Sequence, residues 1–277
     1  MGKFKRSLAF QISISAICAA LYAWGSYWTA FIVSPWGRGQ FRPAVVIPQV
    51  FAIIFGGMPA GIGAAIGTFL VDSIKHGYPY LPSLIAAVPS NFIAFFIYGK
   101  MLEKKFSWNK FIITTYISLL IGNLLCAFLY VPTVYMLGAL PANLNWIDLS
   151  AFAIALTIWW FATMLPFSLT LTPILVKALI HAFPSMVPID VRLHSLSKEL
   201  STKTLGMTII CSGLILLFLG SLLMLTPVGN ALFYGFTVKL KPTFAILTIQ
   251  FINFILVGCG FVMTSLGVLI SIIKIGK

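Results

Sequence analysis

Apolar residues dominate the chain in long runs, broken by short polar segments rather than by a regular alternation. A helix needs about 20 apolar residues to cross ~30 Å of hydrocarbon. Runs of that length lie near 8–33, 82–102, 110–134, 148–180, 205–227 and 243–273. Backbone groups in hydrocarbon must be satisfied within their own segment, so these runs are expected to be helices. The stretch 44–74 is too long for one upright span and short for two. Its middle reads Gly56-Gly57-Met58-Pro59-Ala60-Gly61, and two glycines followed by a proline break a helix. Two short helices, about 44–56 and 59–74, are therefore expected. The sum is an all-α polytopic membrane helix bundle of about eight transmembrane helices. The polar gaps divide the chain into a six-helix membrane domain over 1–185, a basic cytoplasmic connector over 186–204 and two additional transmembrane helices over 205–277.

Composition agrees with the pattern. Of 277 residues, 60% are hydrophobic and 8% charged, against roughly 25% charged in a soluble domain. Too few charges exist to hydrate a globular surface, so lipid is the expected solvent. The opening Met-Gly-Lys-Phe-Lys-Arg-Ser resembles a signal peptide, but the apolar run goes on to about Val33 with no small-residue cleavage site, and an uncleaved first span is expected.

The formal charge is +13, with 18 Lys+Arg against 5 Asp+Glu. The cations fall between the apolar runs, which excludes a nucleic-acid surface and points to a loop bias. With eight spans and the N-terminus inside, the inner segments hold thirteen of the 18 Lys+Arg and the outer segments five: Arg38, Arg42, Lys75, Lys239 and Lys241. With 44–74 as one span and the N-terminus outside, the split is twelve to six. The cluster at residues 3–6 favours the first threading, with both termini cytoplasmic and the chain multi-pass in the cell membrane.

Polar groups at or near membrane depth on the expected outer side are the candidates for chemistry. Trp36, Arg38 and Arg42 precede the second span. Asp72, Lys75, His76, Tyr78 and Tyr80 end the third. Gln49, Asn91 and Asn123 lie inside spans, as do Trp159 and Trp160. One reading is a pocket closed by segments 34–43, 75–81 and 135–147, whose cations and rings suit a flat, polar ligand with an acidic group. The plainer reading is interfacial anchoring, since Trp and Tyr collect at headgroup level and Arg and Lys snorkel there. The first span also carries small residues at four-residue spacing: Ala16 with Ala20, and Ser15, Ala19 and Ala23. Gly57/Gly61 and Gly63/Gly67 repeat that spacing. Such faces admit close helix approach, within the bundle or with a partner. The cysteines Cys18, Cys126, Cys211 and Cys259 lie singly within apolar runs and are expected to be small buried residues, without metal spacing.

No phosphate-loop, HExxH or GxSxG motif occurs. No clustered acid, base or nucleophile suggests an enzyme, and no cofactor is expected. Five acidic residues make an intramembrane ion relay hard to build.

The alanine face of the first span, Arg42-Pro43 opening a short second span, the run from Phe55 through Gly56-Gly57-Met58-Pro59 to Asp72, and Leu171-Thr172-Pro173 with Lys177 together resemble the substrate-binding S component of energy-coupling-factor vitamin transporters. The resemblance covers residues 8–185. It implies a subunit that captures a scarce micronutrient and docks through Ala16, Ala19, Ala20 and Ala23 on a transmembrane T subunit bound to ATPases. It implies a ligand held by the loops after spans one, three and five and by the ends of later spans, with Trp36, Arg38, Arg42, Gln49, Asp72, Lys75, His76, Tyr78, Asn91, Asn123 and Trp159 as candidate contacts. The two further spans after residue 205 depart from that family's six. A stand-alone permease, a sensor region and a membrane enzyme are the competing expectations.

Overall fold

Ser7 opens the first helix by accepting a hydrogen bond from the Phe10 amide, the ordinary cap of an exposed helix start. The structure, a computed structural model, describes residues 7–34, 38–194, 202–225 and 242–272. Helices in chain order are α1 (Leu8–Tyr27), α2 (Val46–Phe55, entered through a 3₁₀ turn at Pro43–Val45), α3 (Gly57–His76), α4 (Val88–Glu103, entered through a π turn at Ser83–Ala87), α5 (Trp108–Met136), α6 (Trp146–Ala182), the short α7 (Ile189–Leu193), α8 (Thr202–Leu225) and α9 (Pro242–Ile272). Among the described residues there is no β-strand, only an isolated bridge between Val33 and Gln40. Long apolar side chains such as Leu8, Trp24, Phe128 and Phe218 are exposed, as a lipid-solvated bundle requires. The chain is an all-α, multi-pass membrane helix bundle.

Among the described residues six helices are long and apolar enough to span a membrane, while α2 with its 3₁₀ entry, Pro43–Phe55, is a shorter apolar stretch. The reason at α2 is local. Pro43 fixes its start, and Gly56, at φ 96°, ends it after ten helical residues, about 15 Å of rise. The expected break within 44–74 is therefore present, and it makes a half-helix followed by a full one. The turn is held from across the bundle: the Gly57 amide donates to Glu103 Oε1 at 2.9 Å, and Lys100 Nζ meets Glu103 Oε2 at 2.8 Å. A carboxylate on a helix N-terminus meets unpaired amides and the positive end of the helix dipole.

The first span is also shorter than expected, because residues beyond Tyr27 leave the helix and fold back. Ser34 and Phe41 amides donate to Gly39 and Ile32 carbonyls, so 29–34 and 38–42 lie side by side as the two arms of a hairpin over one end of the bundle. α6 runs 37 residues, about 55 Å, through Pro166 and Pro173. The first part of the expected connector is folded: Val187 and Val191 are buried, and Trp108 Nε1 donates to His194 O at 3.2 Å. α8 and α9 pack chiefly on each other, with Tyr116 of α5 hydrogen-bonded to Ser212 of α8. Cys18 is buried, Cys126 and Cys259 half-buried, and Cys211 is exposed, so the expectation of four buried cysteines fails at Cys211, on the outward face of α8.

Candidate functional site

The end of the bundle under the two arms 29–34 and 38–42 contains a cavity of about 140 Å³, against ~10–15 Å³ for one water. Its far wall is one face of α5: Ser118, Gly122, Cys126 and Tyr130, at four-residue spacing, with Leu119 and Asn123 beside them. Twelve residues separate Ser118 from Tyr130, so the cavity follows about 18 Å of that helix. The three loops expected to converge do so. Arg38 Nη2 donates to Ala139 O at 2.6 Å, tying the first loop to the third. Lys75 Nζ donates to Ala30 O at 2.6 Å, tying the end of α3 to the first.

Arg42 and Asp72 form a buried ion pair in the wall. Arg42 also donates to Thr68 and Gln40, and Asp72 also accepts from Ser83 Oγ at 2.6 Å and Gln40 Nε2 at 3.1 Å. This network joins the hairpin, α3 and the π turn before α4. Arg42 is thus neutralised within the chain, and the positive charge left at the mouth is that of Arg38 and Lys75, which are held by main-chain carbonyls. Among the described residues no carboxylate pairs with either.

An aromatic wall completes the mouth. His76 stacks on Tyr80 with ring centroids 3.7 Å apart and 3° between planes, and His76 Nδ1 lies 2.7 Å from Asp72 O. The hydroxyls of Tyr80 and Tyr130 are 3.3 Å apart. Burial, with the Tyr130 hydroxyl beside it, pushes the Tyr80 phenol above its ordinary range, so this ring stays neutral. Deeper in, Tyr22 donates to Asn91 Oδ1 at 3.4 Å, while Asn91 Nδ2 donates to Ala87 O at 2.8 Å. Asn123 Nδ2 is buried with no partner.

Of the residues expected at a binding site, Arg38, Arg42, Asp72, Lys75, His76, Asn91 and Asn123 line this cavity. Gln49, Tyr78 and Trp159 do not. Gln49 is fully buried between α2 and α6, where Thr172 Oγ1 donates to its Oε1 at 2.8 Å. Tyr78 is exposed beyond the end of α3, and the neighbour Trp160, not Trp159, faces the cavity. Trp36 lies outside the described residues. The alanine face is divided. Ala19 and Ala23 are buried, Ala19 against Gly67 of α3, which corrects their expected role in partner docking; Ala16 and Ala20 are exposed.

Tyr22, Gln40, Ser83, Cys126 and Tyr130 are cavity residues that sequence reasoning missed. The signal for two of them was present: stepping by four from Ser118 through Gly122 reaches Cys126 and Tyr130 on the face next to Asn123.

No protein-family model, curated protein or solved structure matches the chain. Fold and site together define its class: an all-α multi-pass membrane protein with a polar cavity at one end of the bundle.

Proposed function

We propose that the chain is the solute-binding membrane subunit of an importer, of the S-component kind, taking a small vitamin-like solute that carries an acidic group and a flat ring. The observation that carries this reading is the mouth of the cavity. Two cations, Arg38 and Lys75, have no carboxylate partner there, and the stacked His76–Tyr80 pair stands beside them. A carboxylate offered to such cations gains charge-assisted hydrogen bonds, and a planar ring gains a stacking surface. The helix order supports the threading behind it. Lys100, Lys104, Lys105, Lys110 and Lys177 lie at the ends of α4, α5 and α6 remote from the cavity, which by the positive-inside rule makes that end cytoplasmic. In this reading a T subunit and ATPases come from other chains, and Ala16 and Ala20 remain as the outward part of the docking face.

A stand-alone permease is the second reading, favoured by the depth to which the cavity follows α5. Native mass spectrometry of the purified chain tests the first claim by seeking a retained small molecule. Uptake by liposomes holding this chain alone then separates the two: binding without transport supports a subunit, and transport without partners supports a permease. Absence of any bound or binding organic acid, with the fold intact, overturns both.

A further inference from the structure

Directly beneath the cavity, three helices repeat one arrangement. Val45, at the entry to α2, lines the cavity, and Gln49 follows it by four residues. Ser118 of α5 lines it, and Thr114 precedes it by four. Met164 of α6 lines it, and Ser168 follows it by four. Four residues are one turn on the same helix face, and in each case the step leads away from the cavity mouth, because α5 runs toward the mouth and α2 and α6 run from it. Each of the three deeper residues is polar, each is 0% exposed, and each has a side-chain atom with no partner: Gln49 Nε2, Thr114 Oγ1 and Ser168 Oγ.

Two features make this more than packing noise. A hydroxyl in a membrane helix ordinarily satisfies itself on the carbonyl four residues back, as Thr115, Thr157, Thr163 and Thr170 do here. Thr114 and Ser168 forgo that bond. Gln49 Oε1 is already taken by Thr172, which leaves its amide N–H groups as donors without an acceptor. Three unpaired polar atoms, each one turn from a cavity residue on its own helix, call for an occupant, since buried polar groups without partners are costly. The groups present are two hydroxyls and an amide, none of them charged, so the complementary occupant is neutral and hydrogen-bonding.

We infer that the cavity continues one helical turn deeper as a small hydrated chamber between α2, α5 and α6, whose ligand is water hydrogen-bonded to Gln49, Thr114 and Ser168. The chamber extends the proposed solute site toward the opposite end of the bundle and offers no charge to hold an ion. It deepens the reading of the cavity as a solute site, yet it is tested without any solute, so the two fail separately.

The test uses the full chain in lipid nanodiscs, with Cys126, Cys211 and Cys259 changed to Ser and Cys18 kept as an internal dry reference, since Cys18 is fully buried against Gly63. Ser168→Cys, and separately Thr114→Cys, are treated with methanethiosulfonate-ethylammonium, and modification of each thiol is followed by peptide mass spectrometry. Only a hydrated thiol ionises and reacts. The introduced thiols are expected to react at least tenfold faster than Cys18; rates equal to that of Cys18 overturn the chamber. Melting of Ser168→Ala and Thr114→Val gives an independent reading in variants that remove the hydroxyl with little change of volume. A hydroxyl bonded to water stabilises, so Tm falls or holds; a dry, unpaired hydroxyl destabilises, so a rise of Tm in both variants overturns the inference.

Discussion

The guanidinium of Arg42 and the carboxylate of Asp72, 30 residues apart in sequence, meet as a buried ion pair that fastens the hairpin after α1 to the last turn of α3. Gln40, Thr68 and Ser83 add hydrogen bonds to the two charged groups, and the cavity is built around this network. Breaking one side of such a pair leaves an uncompensated buried charge, at a cost of ~3–5 kcal/mol, whereas replacing both partners with apolar residues is often neutral.

Asp72→Asn is therefore expected to lower the thermal midpoint in detergent by several degrees, and Arg42→Met to do the same. The double variant Arg42→Met/Asp72→Leu is expected to melt closer to the parent than either single change. Additive losses in the double variant would show that the two residues act independently.

Lys75 and Arg38 face a different test, because their charge is not neutralised inside the chain. A charge-assisted hydrogen bond is worth ~1.5–3 kcal/mol, which is roughly ten- to hundredfold in affinity. Lys75→Met and Arg38→Met are each expected to weaken binding of an acidic solute by about that factor in calorimetry, with little change in melting. Lys75→Arg is expected to keep most of the affinity. Raising salt from 0.1 to 1 M shortens the Debye length from ~10 to ~3 Å and is expected to weaken binding in the parent more than in Lys75→Met. Equal affinities for acidic solute and its amide would remove these cations from recognition.

Sequence reasoning located these groups without their relations. The break at Gly56-Gly57-Met58-Pro59 was legible because glycine and proline act locally on the backbone, and the structure has it at Gly56 with φ 96°. Arg42 and Asp72 were both legible as costly charges near the membrane, but their spacing carries no sign that each neutralises the other. Gln49 was legible as a buried polar residue and not as one turn below the cavity, since its depth depends on where α2 starts. The alanines of α1 were legible as a close-packing face. Which helix approaches that face is a tertiary fact, and the answer divides it, with Ala19 turned in and Ala16 and Ala20 turned out.

That division predicts a dependence on glycine in α3. A methyl group on Gly63 would lie 2.5 Å from Cys18 Cβ and 2.9 Å from Ser15 O, and one on Gly67 would lie 2.7 Å from Ala19 O. Overpacking a fixed interface costs ~1–3 kcal/mol. Gly63→Ala and Gly67→Ala are expected to lower the melting midpoint, and Ala16→Leu and Ala20→Leu to leave it unchanged. An unchanged midpoint in both glycine variants would mean that α1 and α3 can separate freely. Loss of stability from Ala16→Leu would mean that this alanine is covered.

The C-terminal pair supplies the sharpest separation between stability and site. Gly206, Gly213 and Gly220 of α8 recur every seven residues, as do Gly260 and Gly267 of α9. A methyl on Gly213 would sit 2.7 Å from Gly260 O, and one on Gly267 would sit 2.7 Å from Gly206 O. Small residues repeated at this interval let two helices approach backbone to backbone, the strongest packing open to helices in lipid, where water exclusion gives no drive. None of these residues lines the cavity, and α8 and α9 touch the rest of the bundle far less than they touch each other. Gly213→Leu with Gly260→Leu is expected to open the hairpin, seen as faster proteolysis after residue 194 and faster exchange of α8 and α9 amides. Retained-solute mass spectra and binding constants are expected to hold within about twofold, because the ion pair of Arg42 and Asp72 and the faces of α3 to α6 are untouched. Loss of solute together with the hairpin would instead make the pair a working wall of the site, acting through the Tyr116–Ser212 hydrogen bond, the described polar link from α5 to α8.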